Sequence, residues 1–333
     1  MTYDPAVLTH YLAPLRRHLD APGVTEVVVN RPGEFAVEDR RGWTWVPAPD
    51  LTDEVLARIA VAAAAATRQD VTPDRPICST VLPTGERCQV VLPPAAEHVS
   101  LTLRKPSELN LSVEDLGKQG FFQRVAGAGA DPRRAPDDLA ALQARGDWPA
   151  FFQAAVAGRR NILISGATGS GKTTFAKALI RLIPPEERLI TIEDARELVL
   201  PHRNVVHLLY AKDGQGLAQV GPKALLESAL RMRPDRILLQ ELRDAAAFFY
   251  LRNVNTGHPG SITTIHANSA ALAFEQLILL VKESEAGREL PRADIRALLR
   301  SLVDIVVQVE RKDGRFRLAE VWHEPLRVHA LAA

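Results

Sequence analysis

Cysteine is nearly missing from this chain: Cys78 and Cys88 are the only two in 333 residues. One pair cannot supply the disulfide framework of a small secreted domain, and two thiols cannot make a four-thiolate zinc site. Both read as ordinary thiols in or near strands. An excess of one charge is missing as well. Lys and Arg total 41 against 40 Asp and Glu, a net charge of +1, which excludes a protein that coats nucleic acid or sits on a membrane by bulk charge. Long apolar runs are also missing. The stretch from Ala62 to Ala66 is too short and too weakly hydrophobic to span a bilayer, and the N-terminus carries no apolar signal core. The expectation is a cytoplasmic chain whose contact with a membrane comes through partners. No long internal repeat is visible.

What the chain does have is 46% hydrophobic and 24% charged residues, enough to bury real cores, and a length suited to two domains of ordinary size. The first hundred residues read as α+β. Leu8, Leu12, Leu15 and Leu19 recur at helical spacing, predicting a helix over Pro5 to Leu19. Thr25 to Asn30 is a β-branched run stopped by Arg31-Pro32-Gly33, and Phe35 to Glu38 and Trp43 to Val46 read as short strands. Thr52 to Thr67 is a helix with Thr52 as its cap. Three more strand patterns lie near Ile77 to Leu82, Arg87 to Leu92 and Val99 to Arg104. Composition then turns small, polar and proline-bearing from Gly127 to Pro136, which reads as an interdomain linker. A helix from about Asp137 to Ala157, broken near Gly146, follows.

From Asn161 onward strands and helices alternate, which argues a parallel sheet with helices on its faces. The strands are expected at Asn161–Ser165, Arg188–Ile192, Val205–Leu209, Arg236–Gln240 and Ser261–Ile265, with a hairpin around Asp313-Gly314. The domains expected are an N-terminal α+β domain over 1–126, a linker over 127–149, and an α/β domain over 150–333.

The sharpest motif is Gly166-Ala167-Thr168-Gly169-Ser170-Gly171-Lys172-Thr173, a full match to the P-loop pattern, placed between the apolar strand Ile162-Leu163-Ile164 and a helix. Its glycines let the backbone N–H groups converge on phosphate, and the helix N-terminus adds positive potential. Lys172 supplies a mobile positive charge and Thr173 a hydroxyl for Mg²⁺, with Thr174 completing the ATP-binding run. In an open parallel sheet, ligands bind beyond the carboxyl ends of the strands. There the second strand ends in Glu193-Asp194, the fourth in Glu241 and the fifth in His266. Glu241, after Ile237-Leu238-Leu239-Gln240, is placed to activate water. Asp194 with Glu197 three residues on also fits a helix cap, but beside a P-loop Glu193 is expected to hold Mg²⁺ or water. His266 is placed to sense the γ-phosphate and His258 to support a loop. Eight residues of extended chain separate these two histidines by roughly 25 Å, too far for one metal.

These segments carry a family resemblance. Gly166–Thr173, Thr191-Ile192-Glu193-Asp194, Arg233 through Arg243 and Gly257–Ser269 resemble the Walker A, Asp box, Walker B and His box of the secretion ATPases. Val29-Asn30-Arg31-Pro32-Gly33-Glu34, Leu82-Pro83-Thr84-Gly85-Glu86-Arg87 and Leu103-Arg104-Lys105-Pro106-Ser107 extend the likeness to the traffic ATPases of type IV secretion, the P-type DNA-transfer ATPases. The resemblance implies a RecA-like P-loop domain behind the N-terminal domain. It implies a homo-hexameric ring working with inner-membrane channel proteins and other secretion ATPases, at the cytoplasmic face of the inner membrane. Direct nucleic-acid contact stays open, as does the cargo: DNA, effector protein or pilus subunit. Arg87 and Arg104 would reach the phosphates from the N-terminal domain, and Arg233 and Arg243 would be further arginines of the site.

Two departures bear on this reading. Gln240 stands where the family commonly has glycine before the Walker B glutamate, so a side chain is available to crowd or hydrogen-bond the nucleotide. The paired CxxC motifs usual in type II assembly ATPases are missing, which disfavours that branch. Pilus-assembly or retraction motors, DNA translocases with the same core, and an ATP-gated scaffold without turnover are the competing readings.

Overall fold

The computed structural model describes residues 5–106, 112–118, 139–211, 216–243, 246–255 and 257–323. The chain opens with α1 (Pro5–Leu19), β1 (Glu26–Arg31), β2 (Gly33–Asp39), β3 (Gly42–Ala48), α2 (Asp53–Ala66), β4 (Ile77–Val81), β5 (Arg87–Val91) and β6 (Ser100–Arg104). The strands form one six-stranded sheet in the order β3-β2-β1-β6-β5-β4, antiparallel throughout. The predicted leucine stripe of α1 is buried, and it packs with Leu56, Ile59 and Ala63 of α2 onto Val27 and Val29. Thr52 caps α2 as expected, its hydroxyl accepting from the Val55 N–H at 3.3 Å. Along β1 the residues between, Glu26, Val28 and Asn30, point the other way and are buried as well. Burial on both faces means that something covers the second face, and the rest of the chain does so.

That second part holds α3 (Val113–Lys118), α4 (Leu139–Arg145), α5 (Trp148–Ala157), β7 (Ile162–Ser165), α6 (Lys172–Ile180), β8 (Leu189–Glu193), β9 (Val205–Leu209) and α7 (Pro222–Ala229). It continues with β10 (Arg236–Leu239), α8 (Ala246–Asn255), β11 (Ile262–Ile265), α9 (Ala270–Glu283), α10 (Arg292–Leu302), β12 (Ile305–Lys312) and β13 (Arg315–His323). The predicted break at Gly146 separates α4 from α5, with Gly146 at φ +69°. Residues 127–138 of the expected linker lie outside the described residues; the remainder begins α4, whose Leu139 is buried against α5 and α6.

The strands form two ladders, β10-β8-β9 and β11-β7-β12-β13. All pairings are parallel except that of β13 with β12. A seam joins them: Leu242 N–H donates to Thr264 O at 2.8 Å, and the Thr264 hydroxyl donates to Gln240 O at 2.9 Å. The continuous order is therefore β9-β8-β10-β11-β7-β12-β13. Alternate residues of β7 serve opposite faces, Leu163 toward α8 and α9 and Ile162 and Ile164 toward α5 and α6, the pattern of a parallel sheet covered on both sides.

The two parts meet at Arg188, which has no solvent exposure. Its Nη1 donates to Asn30 Oδ1 at 2.7 Å and Asn204 Oδ1 at 2.6 Å, and its Nε to Met232 O at 2.8 Å. Burial pulls its pKa down to about 10, so the guanidinium stays charged near neutrality. Around it, Gln89 Nε2 donates to Ser228 Oγ at 2.9 Å and Arg203 pairs with Glu34 at 2.6 Å. Arg188→Ala leaves acceptors from both parts buried without a donor. It should cost about 3 kcal/mol of stability, read as a lowered midpoint in denaturant unfolding; a loss below about 0.5 kcal/mol, the range of ordinary surface changes, would refute the junction's weight.

Candidate active site

The strand order fixes where side chains converge. β7 leads into the P-loop, and β11 stands between it and β10, so the residues after β10 and β11 flank the loop on one side. Together these ends line a cavity of about 710 Å³, bordered by Thr168 through Thr174, Glu241, Arg243 and His266, a size ordinary for a nucleotide-sized ligand. The loop demands small residues. A Cβ on Gly166 would collide with Ser170 Oγ and the Val309 carbonyl, and Gly171 sits at φ +93°, left-handed backbone that glycine adopts without strain. Gly171 is also the N-cap of α6, with no side-chain hydrogen bond on the first turn. The helix thus presents its N–H groups to the cavity.

Lys172 is buried, and its Nζ donates to Gly166 O at 2.8 Å and Ala167 O at 3.0 Å. Burial lowers its pKa; Glu241 nearby opposes that shift. The same Nζ lies 3.4 Å from His266 Nδ1, and His266 Nε2 lies 3.1 Å from Glu241 Oε1. Glu241 also accepts from Arg243 at 2.7 Å, and Arg243 reaches Asp194 at 2.5 Å. The Glu241 hydrogen bond holds the Arg243 guanidinium still more firmly protonated. Lys172, His266, Glu241 and Arg243 thus form one polar chain along the cavity. Gln240, the residue that departs from the family pattern, borders the same space. Sequence reasoning missed Glu197 and Phe316 as lining residues.

Glu193 is placed differently from its expectation. It ends β8 but is fully buried. Thr191 Oγ1 donates to its Oε1 at 2.7 Å, and the N–H groups of Glu197 and Leu198 donate to its Oε2 at 2.9 and 2.8 Å. His207 Nδ1 adds a contact at 3.3 Å. Burial alone would raise this carboxyl; hydrogen bonds from His207, Leu198, Thr191 and Glu197 hold it below the usual range instead. In this arrangement Glu193 braces the loop after β8 through the Glu197 and Leu198 N–H groups. The expectation that it holds Mg²⁺ or water gains no support from this arrangement, since Glu193 is not among the residues bordering the P-loop cavity. Among the described residues no cluster of three or more His, Cys, Asp or Glu side chains could hold a metal ion.

Arg87, Arg104 and Arg233 are not on the P-loop cavity either. They line a second cavity of about 850 Å³, together with Glu26, Glu38, Arg40 and Lys105. Register explains the grouping. Arg87 stands opposite Arg104, Arg104 opposite Glu26, and Glu26 opposite Glu38. Arg233 crosses from the other part of the chain and clamps Glu38 through two hydrogen bonds of 3.1 and 2.6 Å. His258 is half-buried beside Pro234 and Arg233, with a lowered pKa caused first by burial.

A P-loop between a parallel strand and a helix, with an acid after the strand two places over, defines a RecA-like nucleotide-binding domain behind an N-terminal α+β domain. A family model described as "Type II/IV secretion system protein" matches residues 10–312. The type IV secretion system protein VirB11 of Bartonella quintana is 48% identical over 335 residues, covering 97% of this chain and 94% of its own. VirB11 of Brucella suis biovar 1 is 45% identical over 336 residues, covering 98% of this chain and 93% of its own. The crystal structure of the VirB11 ATPase from the Brucella suis type IV secretion system, in complex with sulphate, superposes with a TM-score of 0.89 at 43% identity. It covers 96% of this chain, which covers 95% of it in turn. The chain belongs to the type II/IV secretion system protein family.

The second cavity generates a pH prediction. Burial pushes the Glu26 carboxyl up to about 7, against the pull of Arg104 and with the help of Glu38; Arg233 and Arg188 also pull it down. Arg104 Nε stands only 3.3 Å away, but its side chain is 62% exposed against 2% for Glu26, so water screens the cation while the anion bears the full desolvation. Unfolded, this carboxyl ionises near 4.5. The folded protein therefore holds the extra proton between those values. The contribution is complete below pH 4.5 and is lost as pH rises through 7. Glu26→Gln should flatten the decline of the thermal midpoint between about pH 5 and 8; parallel profiles for variant and wild type would show that Glu26 does not titrate there.

Proposed function

We propose that the chain hydrolyses ATP with Mg²⁺ and, as a ring of identical subunits, powers a type IV secretion system at the cytoplasmic face of the inner membrane. The observation that carries this reading is the continuous polar chain Lys172–His266–Glu241 set along one P-loop cavity. The names of the relatives support the secretion role, and they favour it over a pilus motor. No helix among the described residues is long and apolar enough to cross a membrane; in this reading attachment comes from channel proteins and other secretion ATPases.

The chemistry follows from the geometry. Lys172 exchanges the Gly166 and Ala167 carbonyls for β- and γ-phosphate oxygens. The N–H groups of Gly169 to Thr174 cradle the phosphates at the helix N-terminus. Thr173, which borders the cavity, is the residue whose hydroxyl would hold Mg²⁺; when bound, the ion would supply neutralisation of charge on the phosphate oxygens. Glu241 orients a water and takes its proton as the oxygen bonds to the γ-phosphorus and the bond to ADP breaks. His266, between Glu241 and Lys172, reads the presence of the γ-phosphate. Arg243 serves from within the same cavity.

Arg87, Arg104 and Arg233 join a nucleotide site only after the two parts of the chain move, or when a neighbouring subunit brings its own row of arginines to this P-loop. Arginine suits that task because its planar fork pairs with phosphate bidentately. Specific ATPase activity should then rise steeply with protein concentration until rings form. A flat, appreciable rate from a protein that sizes as a monomer would contradict a site completed by assembly.

Lys172→Ala should abolish turnover and weaken ATP binding, and unchanged turnover would sink the site assignment. Glu241→Gln should retain ATP binding while slowing hydrolysis by about a hundredfold or more, the share typical of a general base. If it loses affinity and keeps its rate per bound site, Glu241 does not activate the water.

A further inference from the structure

The cavity has a polar end and an aromatic end, and strand order assigns them. Glu241 and His266 follow β10 and β11, on one side of the P-loop strand β7; the β12–β13 hairpin lies on the other side. Lys172, which in P-loops serves the β- and γ-phosphates, leans toward the first side, 3.4 Å from His266 Nδ1. A triphosphate with its γ end there runs its nucleoside end toward the hairpin.

That hairpin presents Phe316, two residues past the Asp313-Gly314 turn. Among the described residues it is the only Phe, Tyr or Trp lining the cavity. The ring packs on the P-loop backbone, where a Cβ on Gly171 would come within 2.9 Å of its Cδ1. The side chain is nevertheless 58% exposed. Phe35, Phe151, Phe152, Phe248 and Phe274 are all buried, so this fold hides phenyl rings where it can. Arg311, its cross-strand partner, holds its guanidinium 5.7 Å from the ring centroid, a cation–π contact that a larger π-face can replace. An exposed ring fixed at the nucleoside end of a phosphate site is a stacking platform.

We propose that Phe316 is the base-stacking residue of this site, taking the base of the nucleotide on its open face while the P-loop takes the phosphates. The inference rests on the ATP-site reading above and adds the group that recognises the nucleoside. Base–aromatic stacking lost on truncation to alanine weakens binding roughly tenfold.

The test is calorimetric binding of ATP and, separately, of inorganic tripolyphosphate, which has the phosphates and no base. Full-length wild type, Phe316→Ala and Phe316→Trp are compared in Mg²⁺ buffer. Phe316→Ala should raise the Kd for ATP about tenfold and move that for tripolyphosphate less than about twofold; Phe316→Trp should restore ATP binding. Equal losses for both ligands would mean that the ring only shapes the P-loop, and an unchanged Kd for ATP would mean that it does not touch the base. Either result overturns the proposal and leaves the ATP site standing. Failure of the site reading looks different: wild type would then bind ATP no better than Lys172→Ala, and both readings would fall together.

Discussion

A charged guanidinium with no access to water must be surrounded by acceptors, and Arg188 obtains them only because two separately built parts of the chain meet around it. Asn30 comes from the N-terminal sheet; Asn204 and the Met232 carbonyl come from the P-loop part. Desolvating an arginine is costly enough that each of these partners becomes obligatory. The packing that supplies them also closes the second face of β1. Arg188 enters β8 at one end, and Glu193 leaves it at the other. The domain junction and the brace of the loop after β8 are therefore the two ends of one short, hydrogen-bonded strand.

Within the cavity the two cations are held unequally. Lys172 rests on two loop carbonyls, neutral acceptors that bind an ammonium less tightly than phosphate oxygens do. Arg243 is tied to two carboxylates, Glu241 and Asp194, and is the stiffer of the two. Under the proposed ATP-site reading this difference suits Lys172 to the mobile role and Arg243 to holding Glu241 in place. Glu193 has no comparable freedom, since four donors converge on its carboxylate.

Most of the architecture was legible because it depends on local signals. Leucine spacing located α1, Thr52 located the start of α2, Gly146 located the break before α5, and the P-loop was identified by its own pattern. Sequence places Glu193 like Glu241, at the end of an apolar strand, yet only Glu241 borders the P-loop cavity. What distinguishes them is a neighbour. Thr191 stands in register with His207 of β9, and this pair, with the turn at Glu197 and Leu198, folds the Glu193 carboxylate inward. Nothing along the chain announces that pairing. Phe316 was likewise hidden: its hairpin was evident, but its seat on Gly171 depends on β12 lying next to β7.

The same logic of register explains the arginines. Arg87 and Arg104 are far apart in sequence and adjacent across β5 and β6, in a row that continues through Glu26 to Glu38. The row is asymmetric in energy. The Arg104 side chain is largely solvated and costs little to move, whereas Glu26 is buried with one oxygen, Oε2, lacking a hydrogen bond. If Arg104 turns away, Glu26 is left to Arg188 and Arg233, both already committed to other acceptors. The expense of displacing this arginine therefore falls on the carboxylate that stays behind. It is met either by a proton on Glu26 or by closer approach of the two remaining arginines, and both responses act on the junction that Arg188 holds together.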